Sequence, residues 1–258
     1  MGTPNATRVS GVMSVSDLLL LLLAGVGTGL VGYLTGLASL VSYPALLAVG
    51  LPPVAANVTN TLALIGIGVG ATTRSARLLA GRGRRELALQ VVIALAGGAT
   101  GASLLLLGGN AVFSRVVPWL VALASVALLV SPRLRELHGS GESRLAALLV
   151  LFPLCVYGGY FGAGAGVMYL ATMLVLTADD LPTSMIVRSV LLGVSNLAAS
   201  IVFIGFGPVN WAAAVALGVG CIAGGNLGPA VQRLIPQAVL RAIVAVCGLG
   251  LAVWLAVH

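Results

Sequence analysis

The chain of 258 residues contains no lysine, only six acidic residues and two histidines, and charged residues make up 7% of it. A soluble domain carries about a quarter charged residues, so this composition excludes an ordinary water-soluble fold. No acidic residue lies in the interior of an apolar segment, because Asp17 and Glu86 stand at the entrances of two segments and the other four lie in loops. His138 and His258 lie in a loop and at the last position. Hydrolysis, phosphoryl transfer and metal chemistry need clusters of carboxylates, histidines or thiolates. We therefore expect no enzyme, no cofactor and no metal site.

Cysteines are few, and the basic residues are unevenly placed. Cys155, Cys221 and Cys247 lie in apolar segments, at spacings that suit neither a zinc site nor a redox pair, so we interpret them as packing residues. The 13 arginines give a net charge of +7, but most gather in short loops, which is the distribution that orients a membrane protein. Nucleic-acid binding is therefore not expected.

Long hydrophobic runs dominate the rest of the sequence, which is 59% hydrophobic. Stretches such as "VSDLLLLLLAGVGTGLVGYL" reach the length of about 20 residues that a membrane-spanning helix requires. The alternation typical of membrane barrel strands is absent, so we predict an all-α polytopic membrane protein. The first run follows Arg8 and resembles a signal peptide, but it continues without a cleavage motif, which predicts a retained first helix.

Glycine, proline and charged residues divide the chain into ten apolar segments. Two of them, 37–50 and 163–177, are short and follow the preceding segment with almost no polar loop. Whether these two cross the membrane completely is left open, so eight to ten membrane segments are predicted. The segments are 15–34, 37–50, 54–73, 86–108, 112–131, 144–161, 163–177, 183–206, 210–229 and 237–257.

The two halves of the chain align with one another. "GYLTGLASLVSYPALL" pairs with "GYFGAGAGVMYLATML", which matches Gly32 with Gly159, and "GGATGASL" pairs with "GGNLGPAV". Each half then holds a glycine-interrupted helix pair followed by three full helices. Interrupted pairs at matching places of two halves indicate a transporter binding site. The predicted divisions are a tail (1–13), a first membrane repeat (14–131), a cytoplasmic basic loop (132–143) and a second membrane repeat (144–258).

Arginine-rich loops predict the orientation, because basic loops face the cytoplasm. If each interrupted pair enters the membrane and returns, each half makes an odd number of crossings, so the second repeat is inverted and both termini lie outside. The alternative keeps the basic loops inside but makes the repeats parallel and places Arg233 outside. The basic loops contain Arg74, Arg77, Arg82, Arg84, Arg85, Arg133, Arg135 and Arg144.

Three features recur in order in both halves: a glycine-rich break, a short apolar stretch, and "LPP" or "LP" at the start of a helix. This order resembles the TauE/SafE sulfite exporter family of anion permeases, and the resemblance covers almost the whole chain. It implies a small anionic substrate such as sulfite or sulfoacetate. The family's Thr-Ser pair in each half corresponds here to Thr59–Asn60 and Arg188–Ser189, neither of which keeps both residues.

The glycine-rich break at 159–166 interrupts a membrane helix, which leaves backbone groups that lipid cannot satisfy. Glycine lets a ligand approach the backbone closely, and a helix that restarts near Gly166 would point its positive end at that ligand. The break therefore favours an anion site. The alternative is that small residues simply allow the helices to pack closely.

Arg188 is the most informative single residue. An arginine within a membrane span costs about 2.5–3.5 kcal/mol on insertion scales unless it faces a cavity or a partner. Its planar guanidinium suits a carboxylate, sulfite or sulfonate. Two alternatives remain at this point: Arg188 reaches lipid phosphate, or it pairs with Asp179 or Asp180.

The remaining candidates are neutral polar side chains and glycines of the breaks, each of which also fits a role in helix packing. The predicted substrate-binding residues are Arg188, Ser189, Thr59, Asn60, Asn57, Gly162, Gly164, Gly166, Ser39, Asn196 and Asn226.

Together these patterns predict a transporter in a bacterial or archaeal cytoplasmic membrane that exports a small anion by alternating access. No proton relay is needed, because an anion leaving a negative interior gains about 2.3 kcal/mol per charge per 100 mV. The alternatives are an importer of a carboxylate or another sulfur anion, a pore, and a membrane scaffold that transports nothing. The coupling ion and a homo-oligomeric state are left open.

Overall fold

A computed structural model describes residues 13–65, 84–136, 143–177, 181–231 and 237–257. Every regular element in these ranges is a helix, which confirms the predicted all-α class. The helices fall on the predicted apolar segments, most of them within a few residues. They are α1 (Val15–Thr35), α2 (Ser39–Ala48), α3 (Pro53–Ile65), α4 (Arg84–Glu136), α5 (Arg144–Tyr160), α6 (Ala165–Leu176), α7 (Leu181–Phe206), α8 (Trp211–Val231) and α9 (Gln237–Val257).

The first helix begins and ends at defined local signals. Ser14 accepts a hydrogen bond from the N–H of Asp17 at 3.2 Å, and the Asp17 carboxylate accepts one from the Ser14 N–H in return. This reciprocal pair satisfies two backbone donors at the start of the helix. At the other end Gly36 adopts a left-handed conformation (φ 78°, ψ 18°) and donates to the carbonyl of Gly32, which is a common way for a helix to stop.

The long helix α4 folds back on itself at Gly109. That residue has φ 63° and ψ −172°, a conformation essentially restricted to glycine. Residues 101 and 120 would lie about 28 Å apart on one straight helix. Both nevertheless lie beside the last turns of α5. A Cβ on Gly101 would be 2.7 Å from the Tyr160 nitrogen. The Leu120 carbonyl oxygen is 3.4 Å from the Tyr157 hydroxyl. α4 therefore consists of two arms, which correspond to the predicted segments 86–108 and 112–131.

Two described helices are long and apolar enough to cross a bilayer by length and composition alone, Val15–Thr35 and Arg85–Val130. This is fewer than the eight to ten predicted segments, but the second helix comprises both arms of α4. The other helices contain six apolar stretches of 10–17 residues, three of which are parts of the longer helices α7, α8 and α9. The outward faces carry large apolar side chains, with Leu107, Phe206 and Trp119 exposed by 85%, 84% and 76%. Such a surface fits a lipid environment rather than water.

Close packing of backbones joins α1 to α8. Gly25 and Gly29 lie directly against the backbone of α8, and Gly220 and Gly224 lie against the backbone of α1. A side chain at any of these four positions would collide with backbone atoms. Small residues permit this approach, which is a main source of helix association in membranes.

The first arm of α4 packs against α5 in the same manner. Gly101 lies against the carbonyl of Val156, and Gly159 lies against the carbonyl of Gly98. The aligned motifs "GGATG" and "GGNLG" thus lie in matching contacts, since the fourth helix of each half packs on the first helix of the other. The contacts between the halves are therefore reciprocal.

Candidate functional site

The two predicted breaks lie between α1 and α2 and between α5 and α6. The first contains one glycine with positive φ, Gly36, and the second contains two, Gly162 (φ 77°) and Gly164 (φ 78°). The breaks touch each other, because a Cβ built on Gly166 would lie 3.4 Å from the Gly36 carbonyl oxygen. The interrupted pairs therefore meet at one place inside the protein.

Each break ends where a short helix starts, and in each case one backbone N–H group at that start makes no hydrogen bond within the described residues. The N–H groups of Leu40 and Val41 donate to the carbonyls of Leu37 and Ala38, and those of Val167 and Met168 both donate to Gly164. In the described part of the chain, the N–H groups of Ser39 and Gly166 have no acceptor within the protein. These residues occupy matching places in the aligned halves, and both line the same cavity. Two positive helix ends thus face one space.

Arg188 comes from the second half but packs against the first break. Its side chain is 8% exposed, and a Cβ on Gly36 would lie 3.2 Å from its Nη1 atom. Its Cδ atom lies 3.6 Å from the Cβ position of Gly166. Arg188 is therefore enclosed by protein beside both helix starts, which does not fit an arginine that reaches out to lipid. Asp179 and Asp180, the alternative partners, lie outside the described residues.

A cavity of about 130 Å³ lies where these groups meet. Its described lining contains a single charged side chain, that of Arg188, and two neutral polar ones, from Ser39 and Asn196. The remaining walls are glycines and apolar side chains. These are Gly32, Gly36, Gly158, Gly162, Gly166, Gly193, Ala38, Leu64, Ile65, Ala165 and Leu192.

The structure brings five of the eleven predicted residues to this cavity: Arg188, Ser39, Gly162, Gly166 and Asn196. Gly164 precedes the first residue of α6, but its Cβ position meets Ala124 and Leu37 instead of the cavity. Asn226 is exposed on α8. The side chain of Ser189 lies outside the described part of the structure.

Three predicted residues of α3 are fully buried but make hydrogen bonds within the protein. Asn60 donates to Ser39 Oγ at 3.1 Å and accepts from Ser42 Oγ, so it ties α2 to α3. Thr59 Oγ1 accepts from the N–H of Asn210 at 3.1 Å, just before α8. None of these side chains is part of the cavity lining. Asn60 supports it indirectly, through Ser39.

The third residue, Asn57, joins the two halves. Its Nδ2 atom donates to the carbonyl oxygen of Tyr160 at 2.8 Å, in the last turn of α5. Its Oδ1 atom is buried and has no hydrogen-bond partner among the described residues. Because an unpaired buried acceptor is costly, this conformation leaves Asn57 incompletely hydrogen-bonded.

A cluster of aromatic rings adjoins the second break on the side of Asn57. Tyr43 lies 5.5 Å from Phe161 and 6.2 Å from Phe113, both in edge-on arrangements, and Phe113 also contacts Tyr160 at 5.7 Å. Tyr43, Phe113 and Phe161 are at most 1% exposed. The sequence did not indicate this cluster, because its rings come from three distant segments.

Comparison with known proteins identifies the family to which the chain belongs. The family model for the sulfite exporter TauE/SafE matches residues 21–255. The chain belongs to the TauE/SafE sulfite exporter family. As a member of this family it is an integral membrane protein of the transporter class, so the resemblance drawn from the repeated breaks is confirmed.

Individual relatives of this TauE/SafE protein match over most of their length. A Haemophilus influenzae protein named "Probable membrane transporter protein" is 27% identical over 242 residues, which cover 91% of this chain and 92% of the relative. "Probable membrane transporter protein YfcA" of Escherichia coli K12 is 26% identical, over 92% of this chain and 89% of the relative. A Sinorhizobium protein, "Probable membrane transporter protein ORF9", is 26% identical over 87% of each. No solved structure gave a significant match.

Sequence reasoning missed the contact between Gly36 and Arg188 and the apolar walls of the site in this family member. One signal was present, since Leu192 and Asn196 follow Arg188 at intervals of four residues and therefore share its side of α7. The part played by Leu64 and Ile65 had no such signal, because it depends on how α3 packs against the other half.

Proposed function

We propose that this protein is a permease for small anions and that the anion binds between the starts of α2 and α6, beside Arg188. The single observation that carries this proposal is the meeting of two unused helix-start donors, Ser39 N–H and Gly166 N–H, with a buried arginine at one cavity. Three positive groups of this kind favour an anion and disfavour a cation.

The physical contributions support this assignment. Each helix start carries roughly half a positive charge, and anions at such positions gain about 0.3–1 kcal/mol, up to about 2 in partly buried geometries. Hydrogen bonds from a guanidinium to an anion contribute about 1.5–3 kcal/mol. Both contributions arise inside protein, where screening by water and salt is weak.

The family membership supports a sulfur oxyanion or an organosulfonate as the substrate, with sulfite and sulfoacetate as the first candidates. We place the protein in the cytoplasmic membrane of a prokaryote and propose export, because the interior-negative potential drives an anion outward. The reciprocal packing of α1 on α8 and of α4 on α5 supports two structural repeats. We propose that they are inverted, because inversion places both arginine-rich loops and Arg233 in the cytoplasm.

The aromatic cluster of Tyr43, Phe113, Phe161 and Tyr160 supports alternating access. In the predicted orientation the turn at Gly109 lies outside, and Phe113 follows it by four residues, so the cluster closes the outer side of the site. The Tyr43 hydroxyl and Asn57 Oδ1 are both buried and find no hydrogen-bond partner in the described part of the chain. Water would satisfy them in an outward-open state, which lowers the free-energy difference between the two states.

The test is thermal unfolding of the purified protein with sulfite, sulfoacetate, thiosulfate, sulfate, lactate and chloride. A ligand at 100 times its dissociation constant adds about 2.7 kcal/mol to the folded state. We expect one anion to raise the melting temperature, and Arg188→Ala to remove the shift. Arg115→Ala is the control, because Arg115 is exposed on the second arm of α4.

Flux into and out of proteoliposomes distinguishes the remaining alternatives. Export driven by an interior-negative potential, with saturation at high concentration, supports the proposal. Uptake of a carboxylate against this potential would indicate an importer, and flux without saturation would indicate a pore. A folded protein that neither binds nor moves any of the six anions would favour the scaffold.

A further inference from the structure

The asparagines of the described residues differ in how their side chains are hydrogen-bonded. Four of them make side-chain hydrogen bonds within the protein. Asn57 bonds to the Tyr160 carbonyl, and Asn60 bonds to Ser39 and Ser42. Asn110 accepts from the Val54 N–H, and Asn210 accepts from the Ala213 N–H. Asn196 lines the cavity. Within the described residues its amide makes no hydrogen bond to the protein. Asn196 is thus a partly buried asparagine beside the proposed site, and its side-chain N–H and C=O groups are available to bind a ligand.

Asn196 lies at a distance from the proposed anion position. It follows Arg188 by eight residues on α7, which is about 12 Å along a helix axis. Leu192 lies between them and also lines the cavity, where its Cδ1 atom is 3.3 Å from the Cβ position of Gly166. Along α7 the cavity wall is therefore charged at Arg188, apolar at Leu192 and neutral polar at Asn196.

The cavity has more room than an oxyanion headgroup needs. Its volume of about 130 Å³ is roughly ten times the smallest volume that admits one water molecule, about 10–15 Å³. Leu64 and Ile65 from α3 add to the apolar part of the wall. An inorganic oxyanion held by Arg188 would leave this apolar part and Asn196 without a complementary group.

We infer that Asn196 is a second recognition point, and that the substrate is an organic anion with a short apolar chain and an uncharged hydrogen-bonding group at its far end. The headgroup binds Arg188 and the two helix-start N–H groups, the chain packs on Leu192, and a terminal hydroxyl, carbonyl or amide binds Asn196. This inference rests on the proposed function. It narrows the proposed candidates, because sulfite reaches only one of the two recognition points and sulfoacetate would place a second charge, its carboxylate, beside Asn196.

Matched ligands test the inference, with affinities measured by calorimetry on the whole protein in detergent. Propane-1-sulfonate and 3-hydroxypropane-1-sulfonate differ only in the terminal hydroxyl, and sulfite lacks the chain. We expect the hydroxylated sulfonate to bind about fivefold more tightly than propane-1-sulfonate, which is the effect of about one net hydrogen bond. Sulfite should bind more weakly than both. In Asn196→Leu the ratio of the two sulfonates should fall to about one, while the affinity for propane-1-sulfonate changes by less than about twofold.

Asn196→Ala repeats the test if the leucine variant does not fold, and Leu197→Ala, which alters the adjacent exposed position, is the control. Equal affinity for the two sulfonates in the wild type would overturn the inference, as would sulfite binding as tightly as either. An equal loss for every ligand in Asn196→Leu would also overturn it. These failures leave the anion site intact, whereas loss of the proposed function itself would appear as no binding by any anion, or as binding that Arg188→Ala does not weaken.

Discussion

The two breaks each lead to a short helix that starts at the cavity, but the side chains that follow them are used differently. In the first half, the side chains that follow the break serve the fold: Asn60 ties α2 to α3, and Thr59 holds the backbone before α8. In the second half, Arg188 occupies the position that aligns with Thr59 and lines the cavity instead. Ser39 and Gly166, at the two helix starts, both face that cavity.

This difference shows how a duplicated unit can divide two tasks. Both halves supply a helix start, which depends only on the backbone. One half then contributes the charge, while the other contributes a neutral hydrogen-bond network that fixes the geometry around it. A second buried arginine at position 59 would add a large desolvation cost in a place already filled by the contact with Asn210. The asymmetry is therefore a consequence of packing as well as of binding.

The largest difference between the halves should appear when the aligned residues are each replaced by alanine. Arg188→Ala should weaken anion binding by about 10- to 100-fold, because it removes charge-assisted hydrogen bonds. Thr59→Ala should leave affinity within about threefold, but should lower the free energy of unfolding by about 1–3 kcal/mol, since the Asn210 N–H loses this acceptor. Calorimetry and chemical unfolding measure the two effects. Similar losses of affinity in both variants would contradict the division of tasks.

The next effect concerns the start of α6. Gly166→Ala would place a methyl group 3.3 Å from Leu192 Cδ1 and 3.4 Å from the Gly36 carbonyl oxygen. The methyl group would therefore occupy space beside the proposed anion position. We expect about a tenfold loss of anion affinity, which corresponds to about 1.4 kcal/mol. Gly225→Ala on α8 is the matched control, since nothing lies within 4 Å of its Cβ position. Unchanged binding in Gly166→Ala would place the anion elsewhere.

A smaller effect on affinity is expected from the network of the first break. Asn60→Ala removes the hydrogen bonds to Ser39 and Ser42, and leaving such buried groups unpaired costs about 1–3 kcal/mol of stability. Because Ser39 keeps its backbone N–H, anion affinity should fall by only about two- to threefold. Thermal unfolding with and without the anion separates the two quantities. A loss of binding as large as that of Arg188→Ala would show that the neutral half also binds the anion directly.

The aromatic cluster should affect transport but hardly affect affinity. Phe113→Leu loosens the contacts with Tyr43, Phe161 and Tyr160, so the outer side should open more often. We expect a faster flux across proteoliposomes and a change in the dissociation constant of less than about twofold, within the range of small packing effects. A variant with unchanged flux would show that the cluster is part of the core and not a gate.

Much of this architecture could be predicted from the sequence. The expected segment 144–161 is observed as Arg144–Tyr160, and 37–50 as Ser39–Ala48, because glycine, proline and charge mark helix ends in an otherwise apolar chain. The cost of a charge in a membrane span limits Arg188 to a cavity, lipid phosphate or a carboxylate partner, and the sequence alone does not choose among the three. The uses of Thr59, Asn60 and Asn57 could not be predicted. The sequence pattern around a buried polar side chain is the same whether its hydrogen-bond partner is a ligand or another helix. Tertiary packing determines which partner it has.

The most direct measurement is a structure determined with selenite, the heavier analogue of sulfite, whose selenium can be located by anomalous scattering. We expect one selenite within hydrogen-bond distance of Ser39 N–H, Gly166 N–H and the Arg188 guanidinium. This expectation would be contradicted if selenite stabilised the protein but occupied a different place, such as an arginine-rich loop, with the cavity between the two breaks left empty.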